Sequence, residues 1–219
     1  MELTEILGAW KSQQTKVELS LKLNKKILEQ AIHQRAESAL LPLIKHKKMG
    51  IIVTVLYLLV IGFLLFFTVK YFDDSKIYFL ISFSAIFLIN VKALADYIKH
   101  LVMAKKIDFN GSVVAVQQQL SALQFSIINH AKIMCLQFPF FTTFYLSNKW
   151  FPQEIGVSYM VFQGLLTGSF TYLSYWLYKN HTIQNLNKKW FRTMIAGSGG
   201  KSVLKAMDFY KELEEFKSN

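Results

Sequence analysis

Apolar residues recur along the first forty positions of this chain at Leu3, Leu7, Trp10, Val17, Leu21, Leu28 and Ala31. They follow a seven-residue repeat, with Gln14, Asn24 and Arg35 as polar interruptions. No glycine lies between Gly8 and Pro42, so the pattern predicts one long amphipathic helix. Val17, Leu19, Leu21 and Leu23 also alternate with Glu18, Ser20 and Lys22, which is the period of a strand. A lone strand with no partner is barely stable, and the helix is the expectation.

The polar positions then stop. Residues 50–69 carry no charge over 20 positions, which at about 1.5 Å per residue is roughly the thickness of a bilayer core. Three further uncharged runs follow. Residues 77–91 are extended toward Ala95 if the Lys92 stem snorkels. Residues 133–148 contain Pro139, and residues 155–178 are long enough to cross with tilt. The pattern predicts an all-α fold, a four-transmembrane-helix bundle with cytoplasmic amphipathic helical extensions. Its parts are a cytoplasmic helix at 1–49, a four-span membrane domain at 50–178 and a cytoplasmic helical tail at 179–219. The first span starts well after the first 30 residues, where a secretory signal has its apolar core, so it is expected to stay as an anchor.

Between the spans the periodicity returns to that of amphipathic helices. A cytoplasmic helical hairpin is predicted over 92–132, turning at Asp108-Phe-Asn-Gly111, with Ser112 capping a helix that presents Val113, Val116, Leu120, Leu123 and Ile127. In the tail, Leu186, Trp190 and Met194 share one face before the break at 197–200. Ser202 is the expected cap of a last helix bearing Leu204, Met207, Tyr210 and Leu213. That helix ends in Glu212, Glu214 and Glu215, which oppose its dipole and suit Lys25 and Lys26 or a partner.

Charge changes the picture from helices to topology. The chain has 25 Lys+Arg against 14 Asp+Glu, a net charge of +11. By segment the excess is +4 before the first span, 0 at 70–76, +3 at 92–132, 0 at 149–154 and +4 after the fourth span. The positive-inside rule places both termini and the central loop in the cytoplasm of a multi-pass inner (plasma) membrane protein. Lys45, Lys47 and Lys48, directly before the first span, are the expected membrane-surface contacts with anionic lipid. Topology accounts for the whole charge excess, so no nucleic-acid partner is inferred.

Composition supports a lipid-solvated chain and excludes a disordered one. Hydrophobic residues make up 53%, aromatics 15% and charged residues only 18%, against about a quarter in soluble domains. The single cysteine, Cys135, excludes an internal disulfide.

Candidate chemistry is sparse. Gly199-Gly-Lys-Ser202 resembles the end of a phosphate-binding loop, but Ile195 stands where its first glycine belongs and no strand precedes it. His46, His100, His130 and His181 lie near the cytoplasmic boundary, none at the i, i+4 spacing of a helical metal site. Asp73 and Asp74 fall in a solvated outward turn. No catalytic residue, cofactor, metal or small-molecule substrate is inferred, and the chain is read as non-enzymatic. Gly164 and Gly168 have the small-xxx-small spacing that lets helices approach, within the bundle or between subunits of a homo-oligomer.

The layout resembles a family of four-span inner-membrane proteins from Bacteroidota bacteria. The similarity is carried by Leu3-Thr-Glu-Ile-Leu-Gly-Ala-Trp10-Lys-Ser-Gln13, by Lys-Val-Glu-Leu-Ser-Leu-Lys-Leu-Asn at 16–24 and by Ile107-Asp-Phe with Val113 to Leu123. The tail adds Asn187-Lys-Lys-Trp190 and Glu212 to Phe216. Some such genes lie beside extracytoplasmic-function sigma factors, and the resemblance therefore implies a membrane-bound, anti-sigma-like regulator. The functional expectation is an integral membrane protein whose cytoplasmic helices bind a protein partner through Leu3, Leu7, Trp10, Val17 and Leu21. The alternative is an oligomeric pore or transporter component, with Gln137, Thr143, Gln163 and Thr167 along a water path.

Overall fold

The computed structural model describes the backbone of residues 3–186, 188–196 and 199–218, and the side chains of residues 7–8, 10–186, 188–195 and 199–209. Among the described residues the fold is all-helical. The elements are α1 (Leu3–Lys70), α2 (Ile77–Lys105), α3 (Val113–Met134), α4 (Val157–Asn180), α5 (Lys189–Ala196) and α6 (Gly200–Ser218). Helix α1 runs unbroken for 68 residues, roughly 100 Å, so the amphipathic helix and the first apolar run are one rod. It continues through Pro42, which deprives the Ser38 carbonyl of its helical donor. Ala39, Leu40 and Leu43 are buried around that point and hold the helix in place.

Two helices, α1 and α2, are long and apolar enough to cross a membrane. Their most apolar stretches have mean hydropathies of 2.8 and 2.0, yet only 11% and 22% of those stretches are buried. A core helix of a soluble protein hides its apolar faces, whereas here Ile52, Leu56, Leu59, Phe63 and Phe66 form an exposed stripe, with Val53 and Val60 exposed beside it. The hairpin between the two helices closes on Lys76, whose ammonium donates to the Tyr71 carbonyl at 2.6 Å.

The third apolar run differs from the expected α-helix. Its residues form a 3-10 segment, Cys135–Thr142, followed by turns. Pro139 brings no amide donor, and irregular backbone must find other partners when water is absent. Side chains of α4 supply them, and side chains of α2 bond to the segment's own side chains. Gln163 donates to the Thr142 carbonyl at 2.6 Å and Ser174 to the Cys135 carbonyl at 2.9 Å. Ser82 and Thr143 share a hydrogen bond of 2.9 Å, and Asn90 donates to Gln137 at 3.3 Å. The irregular segment runs alongside α2 for most of its apolar length. Its far end meets the α1–α2 turn through Lys149 and Asp73 at 3.0 Å, and through the Tyr78 and Phe151 rings 5.9 Å apart. At its near end, His130 lies 3.0 Å from Asp96.

Below the apolar band the helices build a water-soluble type of core. Ile32, Ala36, Leu40 and Leu43 of α1 pack with Val116, Leu120, Leu123 and Ile127 of α3, and with Phe191, Ile195, Val203 and Ala206 of α5 and α6. The hairpin of α2 and α3 turns where expected. Asn110 N–H donates to the Asp108 carboxylate at 3.1 Å, and Ala115 N–H to Ser112 Oγ at 3.3 Å. Two expectations for the tail change. The buried residues of α5 are Phe191 and Ile195, with Leu186 and Trp190 only partly covered and Met194 exposed. Helix α6 starts before Ser202, whose amide donates to the Gly199 carbonyl at 3.2 Å. Gly199 has φ +94, and a Cβ there would fall 2.1 Å from Leu43 Cδ1, so the glycine break is a close-packed corner.

Candidate functional site

Where the soluble core meets the apolar band, α1, α2 and α3 bring a set of polar side chains together. Lys47 comes from α1, Lys92, Asp96, Tyr97 and His100 from α2, and Ser126 and His130 from α3. The periodicity of α2 explains the convergence. Ala93, Asp96, His100 and Ala104 are spaced by three and four and form its buried face. Asp96 accepts from Lys92 Nζ at 2.6 Å through Oδ1 and from His130 Nδ1 at 3.0 Å through Oδ2. Ser126 Oγ lies 3.1 Å from His100 Nε2, and the rings of His100 and His130 meet edge to face at 5.6 Å. Lys47 is 0% exposed, and its ammonium sits 4.6 Å from the centroid of the Tyr97 ring.

The electrostatics of this cluster follow from burial. Burial lowers the Lys47 pKa to about 8, with the Asp96 carboxylate pulling the other way. Burial, then the charges of Lys47 and His130, push His100 down to about 4. His130 is also lowered, by burial acting against its bond to Asp96. Burial pushes the Asp96 carboxyl up, but the bonds from Lys92 and His130 outweigh it and hold the group below its ordinary range. Near neutral pH the cluster therefore holds an ionised Asp96 paired with Lys92⁺, two neutral imidazoles and a buried lysine. The buried Lys47 Nζ, His100 Nδ1 and Gln124 Nε2 make no hydrogen bond. Such orphaned groups mark strain or a functional role in folded proteins. Among the described residues, no group of three or more His, Cys, Asp or Glu side chains could hold a metal ion.

The predicted residues fall in different places. Leu7, Trp10, Val17 and Leu21 all lie exposed on α1, Trp10 at 64% and Leu21 at 61%. The Leu3 side chain, like those of Glu212, Glu214 and Glu215, lies outside the described residues. The same face of α1 enters the core further along, at Leu28, Ile32 and Ala36, so α3 and α6 cover only its lower part. Lys45 and Lys48 are exposed beside the apolar band, but Lys47 turns inward and is not a surface residue. A Cβ at Gly164 or Gly168 would meet nothing within 4 Å, so neither glycine makes a close approach within this chain. Of the four boundary histidines, His100 and His130 converge, His46 is exposed, and His181 packs against Phe191 at 5.2 Å.

Lys92, Asp96 and Tyr97 were missed by sequence reasoning. The signal for them is the i, i+4 spacing of Asp96 and His100 on the buried face of the helix, with half-exposed Lys92 one turn before Asp96. No protein-family model, curated protein or solved structure matches this chain.

Proposed function

We propose that this chain is a non-enzymatic four-span inner-membrane protein with both termini cytoplasmic, and that the exposed part of α1 binds a protein partner. The single observation that carries the partner reading is the continuity of α1. One helix leads from a bare apolar segment, through the polar cluster, to a stripe of exposed Leu7, Trp10, Val17 and Leu21. An exposed apolar stripe at heptad spacing is the pattern of helix-in-groove or helix-pairing recognition, and Leu19, Leu23 and Ile27 are exposed on the other side of the same helix. The resemblance to membrane proteins encoded beside sigma factors fits a regulator that holds a cytoplasmic partner at the membrane.

Four crossings are supported by the levels at which the connections meet. Asp73 touches Lys149 at one end and Asp96 touches His130 at the other. The chain from His130 to Lys149 thus covers the same height as α2 from Asp96 back to the α1–α2 turn, roughly 30 Å. The alternating charge of the connecting segments supports the orientation.

The test is site-specific photo-cross-linking of the full-length protein in native membranes, with the photoreactive group in place of Trp10. A discrete protein adduct that disappears in Leu21→Asp is expected. The absence of any adduct, or one indifferent to Leu21→Asp, would overturn the reading.

A further inference from the structure

A second pocket lies at the membrane boundary, between the end of α3 and the end of α4. It is an open cleft of about 320 Å³ whose lining is largely apolar, with Phe125, Ile128 and Ile183, and carries Asn129, Lys132 and Gln184 as polar groups. No carboxylate lines it. Lys92 and Lys149, the other lysines beside the apolar runs that have an acid in reach, are paired with Asp96 and Asp73. Among the described residues Lys132 has no such partner; its ammonium is held 4.2 Å from the centroid of the Tyr178 ring. His181 is only 3% exposed, and its Nδ1–H donates to the Leu177 carbonyl at 2.7 Å, so its ring is fixed as part of the wall and supplies no donor. Asn129, Thr182 and Gln184 add amide and hydroxyl groups to the same wall.

We propose that this pocket binds the phosphate of an anionic lipid headgroup, with Lys132 as its charged contact and the amide and hydroxyl donors of Asn129, Thr182 and Gln184 as its hydrogen-bonding wall. The proposal rests on the membrane-embedded reading above. Lys132 directly precedes the third apolar run and Tyr178 ends the fourth, so the pocket sits at headgroup depth on the cytoplasmic side. Basic pockets between membrane helices on that side are where anionic headgroups dock. A cation with no acid partner, ringed by free donors, matches a phosphate better than a neutral or cationic ligand. The source of the phosphate is separable by experiment, since a free phosphate ion offers the same oxygens without the acyl chains.

The experiment uses purified full-length protein with mixed phosphatidylglycerol and phosphatidylcholine, and counts the lipids retained by native mass spectrometry. Wild type is expected to retain phosphatidylglycerol, and Lys132→Gln to lose about ten-fold of that retention, the loss of one charge-assisted contact. Lys132→Arg should keep it, and Lys22→Gln, an exposed lysine of α1 far from the apolar band, should leave it unchanged. In a second arm, inorganic phosphate is titrated into lipid-free protein while the fluorescence of Trp176 and Trp190 is followed. A Lys132-dependent response there, without lipid preference, supports the phosphate site and assigns its source to the free ion. Wild type and Lys132→Gln behaving alike in both arms would overturn the proposal. Failure of the membrane reading shows separately, as release of the protein from vesicles by alkaline carbonate.

Discussion

Lys47 buries its whole side chain against Tyr97, with the ammonium 4.6 Å from the ring centroid and no hydrogen-bond acceptor. A cation–π contact returns about 2 kcal/mol when desolvated, less than the several kcal/mol that burying an ammonium costs. Lys47→Met should therefore raise the thermal midpoint in detergent, by the equivalent of about 1–3 kcal/mol. The pH dependence checks the cause. With a folded pKa near 8 against 10.5 unfolded, the folded protein holds fewer protons between those values. Stability should then rise as pH goes from 8 to 10.5 in wild type and stay flatter in Lys47→Met. A midpoint that falls in the methionine variant would show that the ammonium has a partner of its own.

His100 shows the same sign on the acid side, since its folded pKa is lowered too. His100 has a folded pKa of about 4 against 6.5 unfolded. Its neutral form is favoured in the fold, so this stability is complete above pH 6.5 and is lost as pH falls toward 4. Thermal unfolding measured between pH 7 and pH 4 should show a declining midpoint, with a smaller decline in His100→Gln. Equal declines in the two proteins would remove His100 as the cause.

Asp96 holds Lys92 and His130 at once, and Asp96→Asn should cost about 1–3 kcal/mol through the lost charge-assisted bonds. The same change should lower the His130 pKa further, because the carboxylate is what raises it. Imidazole NMR titration reads that shift. An unchanged or higher His130 pKa would contradict the placement of the carboxylate.

Why the cluster escaped sequence reasoning is physical. Hydrophobic periodicity assigned α1, α2 and the α2–α3 hairpin with its Ser112 cap, because apolar faces and turn residues are written locally. Whether Lys47 points at lipid headgroups or at Tyr97 depends on which neighbour arrives, and three adjacent lysines look alike in a sequence. The third apolar run was read as a kinked helix because hydropathy reports transfer into lipid and not backbone geometry. Only the donors of Gln163 and Ser174, contributed from α4, make the 3-10 path tenable. The packing of Gly199 against Leu43 was not legible either, since glycine spacing alone does not distinguish slack from close packing.

Gly199 gives a stability test of that corner. Its φ of +94 and the 2.1 Å approach of Leu43 Cδ1 to any Cβ combine backbone strain with a clash against a buried side chain. Gly199→Ala should cost about 1–3 kcal/mol, and pairing it with Leu43→Ala should recover part of the loss through non-additivity. Strict additivity of the two changes would mean the side chains do not meet.

Gln163 separates a structural role from a conducting one. Its amide donates to the Thr142 carbonyl and to Thr167 Oγ1, while its oxygen accepts from Tyr145 OH at 2.8 Å. Thr142 Oγ1 in turn reaches Thr167 Oγ1 at 3.1 Å, so the polar groups in this part of the band are spent on one another. Gln163→Leu removes the donor to the buried Thr142 carbonyl of the irregular backbone. It should cost about 1–3 kcal/mol in thermal unfolding in detergent. Reconstituted wild type should pass no more ions than empty liposomes, since a bonded glutamine neither lines a path nor hydrates one. Ion flux in wild type that drops in Gln163→Leu, without loss of thermal stability, would make the residue part of a pore and reverse this assignment.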